Sequence, residues 1–218
     1  MAHTMATGPE SSKRALRAEL LGRRAALSRR DGAKRSRGIA GRVHRLSAWK
    51  RSHVILAYAA FRGEADPAPL VRRALAEGRV VALPRVLGPP PGRGARLAFH
   101  RITAETRLAP GRFGIPEPPD NPATLVDPGE ADLVLVPGVA FSPYGDRLGY
   151  GGGYYDALLP GTAAVAVGLA FEFQVLAGVP REPRDAPVDA VVTEERVRFG
   201  RGRRHSLRSS VRVPPTKN

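Results

Sequence analysis

The chain has 218 residues, which is long enough for one domain with a sizeable hydrophobic core. It contains no cysteine, so a disulfide framework, a thiolate nucleophile and metal sites with cysteine ligands are excluded. Its formal net charge is +15, and no apolar run reaches the roughly eighteen residues of a membrane span, so we expect a cytoplasmic protein outside the membrane.

The first predicted element is a basic helix. Ser11 or Ser12 is its expected N-cap, and it should end near Leu27. Lys13 and Arg17 lie one turn apart on this helix, away from its stripe of leucines. From the residues alone, this spacing favours a solvated basic face.

Strands and helices alternate through the rest of the chain. The other expected helices are residues 31–49, 67–77 and 154–159, and the expected strands are 53–60, 79–84, 97–99, 131–138, 163–169 and 188–192. Of these strands, 97–99 is the expected edge and 188–192 the expected last strand. The alternation is typical of an α/β domain with a largely parallel sheet, whose binding loops gather at one edge.

We expect three regions along the chain. Residues 1–10 read as a disordered lead, residues 11–199 as a single domain, and residues 200–218 as a basic, disordered tail. The charge follows the same division, since residues 52–200 hold 15 Lys and Arg against 17 Asp and Glu. The basic surplus therefore lies at the two ends. Aromatic residues do not interleave with it, so we expect no dedicated nucleic-acid partner.

The most distinctive segment is the glycine loop, residues 147–156, which reads Arg-Leu-Gly-Tyr-Gly-Gly-Gly-Tyr-Tyr-Asp after an apolar strand. Glycines lack a Cβ, so their N–H groups can converge on phosphate oxygens. Arg147 adds positive charge, and Asp156 is a hard oxygen ligand for magnesium. The loop has neither the Walker A ending nor the Rossmann spacing. The residues alone leave two interpretations open: a nucleotide-phosphate or anion site, and a flexible turn.

Five blocks in order resemble the 5-formyltetrahydrofolate cyclo-ligase family, also called 5,10-methenyltetrahydrofolate synthetase. They are Lys13 to Arg17, Gly63 to Asp66, Gly114 to Pro118, Val136 to Asp156 and Val188 to Glu194. The similarity extends from about residue 12 to residue 198 and does not include the basic tail.

The resemblance implies an enzyme of one-carbon metabolism, a ligase that uses ATP and Mg²⁺. It would convert 5-formyltetrahydrofolate to 5,10-methenyltetrahydrofolate and release ADP and phosphate. ATP would phosphorylate the formyl oxygen, N10 of the folate would attack the activated carbon, and phosphate would leave. Both nucleophiles belong to the substrate, so the protein needs none of its own.

The resemblance also implies which residues form the site. Arg147 and Tyr154 would be catalytic, and Asp156 and Asp189 would hold magnesium. The residues that would bind ATP are Lys13, Arg17, Arg147, Leu148, Gly149, Tyr150, Gly151, Gly152, Gly153, Tyr154 and Tyr155. The residues that would contact the folate are Ala59, Glu64, Phe113, Glu117, Tyr150 and Tyr154. Core packing is the alternative for the three aromatic residues among these, and a rigid bend is the alternative for Glu117.

The fold implied by the resemblance is a three-layer α/β/α sandwich of the NagB/RpiA/CoA-transferase type, with an N-terminal basic helix. We expect a monomer whose partners are ATP and 5-formyltetrahydrofolate, with or without polyglutamate. Some family members carry a lysine at the position of Gly152. In this chain Lys13, Arg17 and Arg147 must therefore neutralise more of the phosphate charge. The alternative function is a catalytically silent relative that binds nucleotide or RNA through the N-terminal helix and tail.

Overall fold

A computed structural model of the protein describes residues 9–88 and 96–200. The α-helices in these ranges are α1 (Pro9–Ala25), α2 (Arg29–Val43), α3 (Ser47–Arg51), α4 (Ala68–Ala76) and α5 (Tyr154–Leu158). The strands are β1 (Val54–Leu56), β2 (Val80–Leu87), β3 (Arg96–Ile102), β4 (Ala109–Pro110), β5 (Pro116–Glu117), β6 (Leu125–Val126), β7 (Leu133–Val136), β8 (Ala140–Phe141), β9 (Arg147–Leu148), β10 (Val165–Leu169), β11 (Ala190–Val192) and β12 (Val197–Phe199). No helix in the described ranges has the length and apolarity that crossing a membrane requires.

Eight strands form one central sheet in the order β12-β11-β10-β7-β1-β2-β3-β6. The five inner strands from β11 to β2 are parallel, which confirms the expected α/β arrangement. In chain order these five strands lie 2-1-3-4-5, so the connections reverse direction between β1 and β7. Such a reversal opens a crevice at the carboxyl ends of the two strands, where open sheets of this kind bind ligands.

Alternate residues of the parallel strands face two different cores. On one side, Ile55, Leu133 and Val167 pack with residues of α2, α3 and α4. On the other side, Leu56, Val134 and Ala166 pack against Phe141 and residues of the region around α5. The molecule is therefore a mixed α/β protein whose central sheet is covered by helices on one face and by α5 with the segments around it on the other.

The helical region near the N-terminus differs from expectation in two respects. Pro9 and Glu10, which the sequence assigned to a disordered lead, belong to α1, so neither Ser11 nor Ser12 is its cap. The single helix expected over residues 31–49 is wrong: α2 ends at Val43 and α3 begins at Ser47. No glycine or proline marks this break. The break allows Leu46 and Trp49 to pack in the same core as Val43. The lead at residues 1–8 and the tail at 201–218 lie outside the described residues.

The sheet edges were also predicted incorrectly. Residues 97–99 belong to the longer β3, which pairs with both β2 and β6 and is therefore not an edge. Residues 188–192 were expected to be the last strand, but β12 follows and pairs antiparallel with β11. Between β7 and the rest of the glycine loop lies a hairpin of β8 and β9. No local sequence pattern predicts these two-residue strands.

Candidate active site

The candidate site lies at the carboxyl ends of β1 and β7, where the strand order reverses. Ala59 and Glu64 follow β1, and the glycine loop follows β7 through the hairpin β8–β9. Ala59 is partly exposed, in the segment between β1 and the turn that carries Glu64. The loops that the sequence assigned to nucleotide and folate binding are thus neighbours across one crevice.

The glycine loop is anchored at its start by apolar packing. Leu148 is buried with Val139 and Ala140 of the hairpin, and its carbonyl accepts a hydrogen bond of 2.8 Å from Val139 N. Leu20 of α1 closes this small core. The predicted contact of Leu148 with ATP is therefore limited to its backbone, since the side chain faces the interior.

Helix α1 presents one face to the glycine loop. Lys13, Arg17, Leu20 and Arg24 are spaced by four, three and four residues, so they lie on a single side of the helix. The solvated face expected for Lys13 is wrong, because Lys13 is 4% exposed. Arg17 Nε donates a hydrogen bond of 2.9 Å to Gly149 O. This contact joins two of the segments that were predicted to bind ATP.

Lys13 is held by an acidic turn, residues 182–186. Its Nζ donates to Glu182 Oε1 at 3.0 Å and to Asp185 Oδ2 at 2.9 Å. Burial opposes the charged form of Lys13, but the two carboxylates together raise its pKa above the ordinary value. The pKa of Glu182 is lowered by its hydrogen bond with Lys13. The same turn reaches the glycine loop, because Ala186 N donates to Asp156 Oδ1 at 3.1 Å.

Arg147 and Asp156, at the two ends of the glycine loop, form an ion pair. Arg147 Nη2 donates to Asp156 Oδ1 at 2.8 Å, and the guanidinium lies 5.6 Å from the centroid of the Tyr155 ring. The Asp156 side chain keeps about a quarter of its surface exposed, at 24%. The guanidinium predicted to bind polyphosphate and the carboxylate predicted to bind Mg²⁺ are therefore paired, and each neutralises the charge of the other.

Asp189 has a different environment from Asp156. It is 3% exposed, and its Oδ2 accepts a hydrogen bond of 2.8 Å from Ala166 N. This bond joins β10 to the residue that precedes β11. Among the described residues, no group of three or more His, Asp or Glu side chains is positioned to hold a metal ion. Asp156, a partly exposed oxygen ligand, fits Mg²⁺, whereas Asp189 is occupied by the sheet.

The predicted folate residues Glu64 and Tyr150 lie near each other, and Tyr150 contacts Arg24 of α1. Glu64 Oε2 accepts a hydrogen bond of 3.0 Å from Phe61 N. Burial raises the pKa of Glu64, and the attraction of Arg24 only partly offsets this effect. Burial and the nearby Glu64 charge raise the pKa of Tyr150 to about 12. The charge of Glu64 therefore influences the protonation of Tyr150.

The other residues predicted to contact the folate have different environments. Phe113 is 52% exposed in a turn with φ of +62°, and Tyr154 has a buried hydroxyl that makes no hydrogen bond within the described part of the chain. Glu117 is 3% exposed, and its Oε1 accepts hydrogen bonds from Val86 N and Arg112 N. That environment agrees with the rigid-bend interpretation of Glu117.

Sequence reasoning missed Arg24, Glu182 and Asp185. Arg24 continues the spacing of Lys13 and Arg17 along α1 and could have been found from that pattern. The acidic turn offers a weaker signal, since two carboxylates three residues apart in a loop are common. Only the folded chain brings residue 13 into contact with residue 182.

The comparisons with known proteins agree with one another. A sequence model of the 5-formyltetrahydrofolate cyclo-ligase family matches residues 9–194. The 5-formyltetrahydrofolate cyclo-ligase of Escherichia coli K12 is 34% identical over 149 residues, which cover 67% of this chain and 80% of that protein. The mouse enzyme of the same name is 26% identical over 196 residues, covering 85% and 95%. The NMR structure of Aquifex aeolicus 5,10-methenyltetrahydrofolate synthetase superposes with a TM-score of 0.75 at 36% identity, covering 88% of this chain and 94% of that one.

Proposed function

The chain belongs to the 5-formyltetrahydrofolate cyclo-ligase family, as its five sequence blocks predicted, and from this premise we propose that it converts 5-formyltetrahydrofolate to 5,10-methenyltetrahydrofolate. ATP and Mg²⁺ drive the reaction, and ADP and phosphate are released. The observation that carries the proposal is the docking of one face of α1 on the glycine loop. It gathers Lys13, Arg17 and Arg24 beside the loops that follow β1 and β7.

The phosphate side of the proposed site consists of α1, Arg147 and the backbone from Gly149 to Tyr155. Lys13 and Arg147 already hold anionic groups, so polyphosphate binding would replace one set of anionic partners by another. Because both cations are nearly buried, their interaction with phosphate would be screened weakly by solvent. Their proposed role is to hold the triphosphate in line with the formyl oxygen and to neutralise its charge.

Asp156 is the protein ligand that we propose for Mg²⁺. When bound, the ion would neutralise polyphosphate charge and polarise the transferred phosphoryl group. Release of the Asp156 carboxylate from Arg147 would free the guanidinium for phosphate at the same time. The role of Asp189 as a second ligand stays a prediction, because its carboxylate also supports the junction of β10 and β11.

The folate side of the proposed site consists of Glu64, Tyr150 and Tyr154, with Ala59, Phe113 and Glu117 as further predicted contacts. In the proposed reaction, the formyl oxygen forms a bond to the γ-phosphorus and ADP departs. N10 then forms a bond to the formyl carbon and loses its proton, and the C–O bond breaks so that the formyl oxygen leaves with the phosphate. No group of the protein becomes covalently attached, so the protein contributes alignment and charge stabilisation.

We also make proposals about the location, the oligomeric state, the fold type and the substrate form. We propose a cytoplasmic monomer with the NagB/RpiA/CoA-transferase type of three-layer fold. The substrate is 5-formyltetrahydrofolate in its monoglutamate or polyglutamate form. Elution on size-exclusion chromatography tests the monomer, and comparison of kcat/KM for the two substrate forms tests the polyglutamate preference.

The alternative, a silent nucleotide- or RNA-binding relative, is less well supported. RNA binding through α1 would need its basic residues on an outward surface. Lys13 and Arg24 are buried, and Arg17 bonds the glycine loop. These positions favour a site in the crevice over binding of an external polyanion.

A spectrophotometric assay tests the proposed function. Purified protein is incubated with 5-formyltetrahydrofolate, ATP and Mg²⁺, and formation of methenyltetrahydrofolate is followed by its absorbance. We expect turnover that needs all three components and that stops on addition of EDTA. ATP binding without any product would contradict the enzyme assignment and favour the silent relative.

A further inference from the structure

Arg24 is a buried arginine that the proposed reaction does not by itself explain. It is 2% exposed, near the end of α1. Its Nε and Nη2 donate hydrogen bonds of 3.1 and 2.8 Å to the carbonyl oxygen of Arg62. Burying a guanidinium costs free energy unless its charge is balanced and its N–H groups donate hydrogen bonds. We therefore expect the hydrogen bonds of Arg24 to have a specific role in the fold.

The contact with Arg62 fixes an unusual turn. Arg62 and Gly63 have φ of +48° and +71°, and Glu64 N donates to Phe61 O at 3.2 Å. Positive φ is uncommon for arginine and costs about 1 kcal/mol or more. The surrounding structure must therefore hold the turn in place. Arg24 does so by bonding the carbonyl of the strained residue, which precedes Glu64 by two positions.

The same guanidinium contacts the glycine loop. Arg24 Nη2 donates to the hydroxyl of Tyr150, and Arg24 lies 5.5 Å from the centroid of the Tyr150 ring. The carboxylate of Glu64 is close enough to Tyr150 to raise the pKa of its hydroxyl, and Glu64 Oε2 accepts a hydrogen bond from Phe61 N at the start of the same turn. Arg24 therefore joins α1 both to the turn that carries Glu64 and to Tyr150 of the glycine loop.

We propose that Arg24 is a positioning residue for the folate side of the site, which sets Glu64 and Tyr150 at a fixed separation. The proposal rests on the proposed function, because it assumes that these two residues contact the folate. Arg24 is buried and its hydrogen bonds go to Arg62 O and to Tyr150, so we assign it no direct contact with substrate. Its effect should therefore be confined to folate recognition, whereas Arg17 and Lys13 on the same helix act on the nucleotide.

The test measures kcat and both KM values for wild type, Arg24→Met, Arg24→Lys, Tyr150→Phe and the double variant Arg24→Met/Tyr150→Phe. Arg24→Met should raise the KM for 5-formyltetrahydrofolate about tenfold, because a hydrogen-bonded charge is lost. The KM for ATP should change less than about twofold. Arg24→Lys should recover part of the loss, since it keeps the charge but not the fork of donors. The double variant should be no worse than the poorer single variant, because both changes break one network.

Arg23→Met is the matched control, since Arg23 is adjacent on α1 and its side chain is half exposed. Equal rises in the KM values for folate and ATP, or effects of Arg24→Met and Tyr150→Phe that multiply, would overturn the proposal. If Arg24→Met does not fold, Arg24→Lys, Tyr150→Phe and their double variant are compared in its place. Tyr150 is 42% exposed, so its substitution does not disturb the core. An inactive wild type would contradict the proposed function instead, before any variant is compared.

Discussion

Asp156 and Asp189 show how two carboxylates with the same predicted role acquire different environments. Asp156 keeps an exposed portion and bonds Arg147, which is itself a predicted phosphate ligand. Asp189 is buried and accepts a hydrogen bond from the backbone of β10. A carboxylate that is bound to a sheet backbone contributes to stability whether or not a metal is present.

This difference predicts separate outcomes for the two aspartates. Asp156→Asn should lower turnover about a hundredfold or more, because Mg²⁺ loses its charged ligand, while folate binding changes little. Asp189→Ala should destabilise the protein by about 1 to 3 kcal/mol, because Ala166 N loses its acceptor. Urea unfolding and Mg²⁺ titration of activity measure the two effects. A fully active Asp156→Asn variant would remove Asp156 from the site.

Glu64 allows a pH-dependent prediction. Its pKa is raised in the folded protein, mainly by burial, so the folded state holds the proton more tightly than the unfolded chain does. Stability attributable to Glu64 therefore falls as the pH rises above the ordinary carboxyl range. Glu64→Gln should melt at a higher temperature than wild type at about pH 8 and at the same temperature below about pH 4, while its KM for folate rises.

Glu77→Gln provides a control of opposite sign. The hydrogen bond from Arg73 lowers the pKa of Glu77, so its charged form stabilises the folded state. This variant should melt below wild type at about pH 8 and match it in acid. Melting curves at several pH values measure both variants. A Glu64→Gln variant that is less stable than wild type at neutral pH would show that its attraction to Arg24 exceeds its burial cost.

At the scale of elements, two glycines test how tightly the chain is packed: Gly145, in the turn between β8 and β9, and Gly153, in the glycine loop. Gly145 and Gly153 both have positive φ, +97° and +70°. A Cβ on Gly145 would lie 2.3 Å from Val188 O, whereas one on Gly153 would meet nothing within 4 Å. Gly145 therefore forms a close contact between the β8–β9 hairpin and the residues before β11.

Alanine at these two positions should have unequal effects. Gly153→Ala should cost about 1 kcal/mol, the strain of a left-handed alanine. Gly145→Ala should cost about 3 kcal/mol or more, because backbone atoms must also move apart. Equilibrium urea unfolding of the two variants provides the comparison. Equal losses would mean that the hairpin can shift away from Val188 without cost.

The elements that the sequence predicted best are those that local pattern determines. Residues 67–77 and 154–159 were predicted as helices and are helical at α4 and α5, where proline or glycine flanks the element. The break between α2 and α3 has no such signal and depends on burial of Leu46 and Trp49. Residue spacing alone favoured a solvated face for Lys13 and only the family resemblance directed it inward; its pairing with the acidic turn at residue 182 was not predicted, because no local pattern joins segments so far apart in the chain.

For the whole molecule, the alternation of strands and helices was enough to predict a parallel sheet, but not its order. The reversal between β1 and β7 joins strands separated by some eighty residues of chain, including an antiparallel excursion through β3 and β6. Contacts at such separation depend on packing of the complete chain and leave no local signal. The glycine loop and Glu64 were predicted as site residues from sequence, whereas their link through Arg24 is visible only in the folded chain.

The distribution of charge leads to the last prediction, which concerns residues 201–218. This segment holds six Lys and Arg and no Asp or Glu, so its removal lowers the formal charge from +15 to +9. The family match ends at residue 194 and β12 at Phe199, while every residue of the proposed site precedes them. A variant that ends at Gly200 should therefore keep kcat and both KM values within about twofold, and should bind heparin more weakly. The assay is run with monoglutamate and polyglutamate substrates. A selective rise in KM for the polyglutamate form would show instead that the basic segment contributes to substrate binding by attracting the anionic glutamate chain.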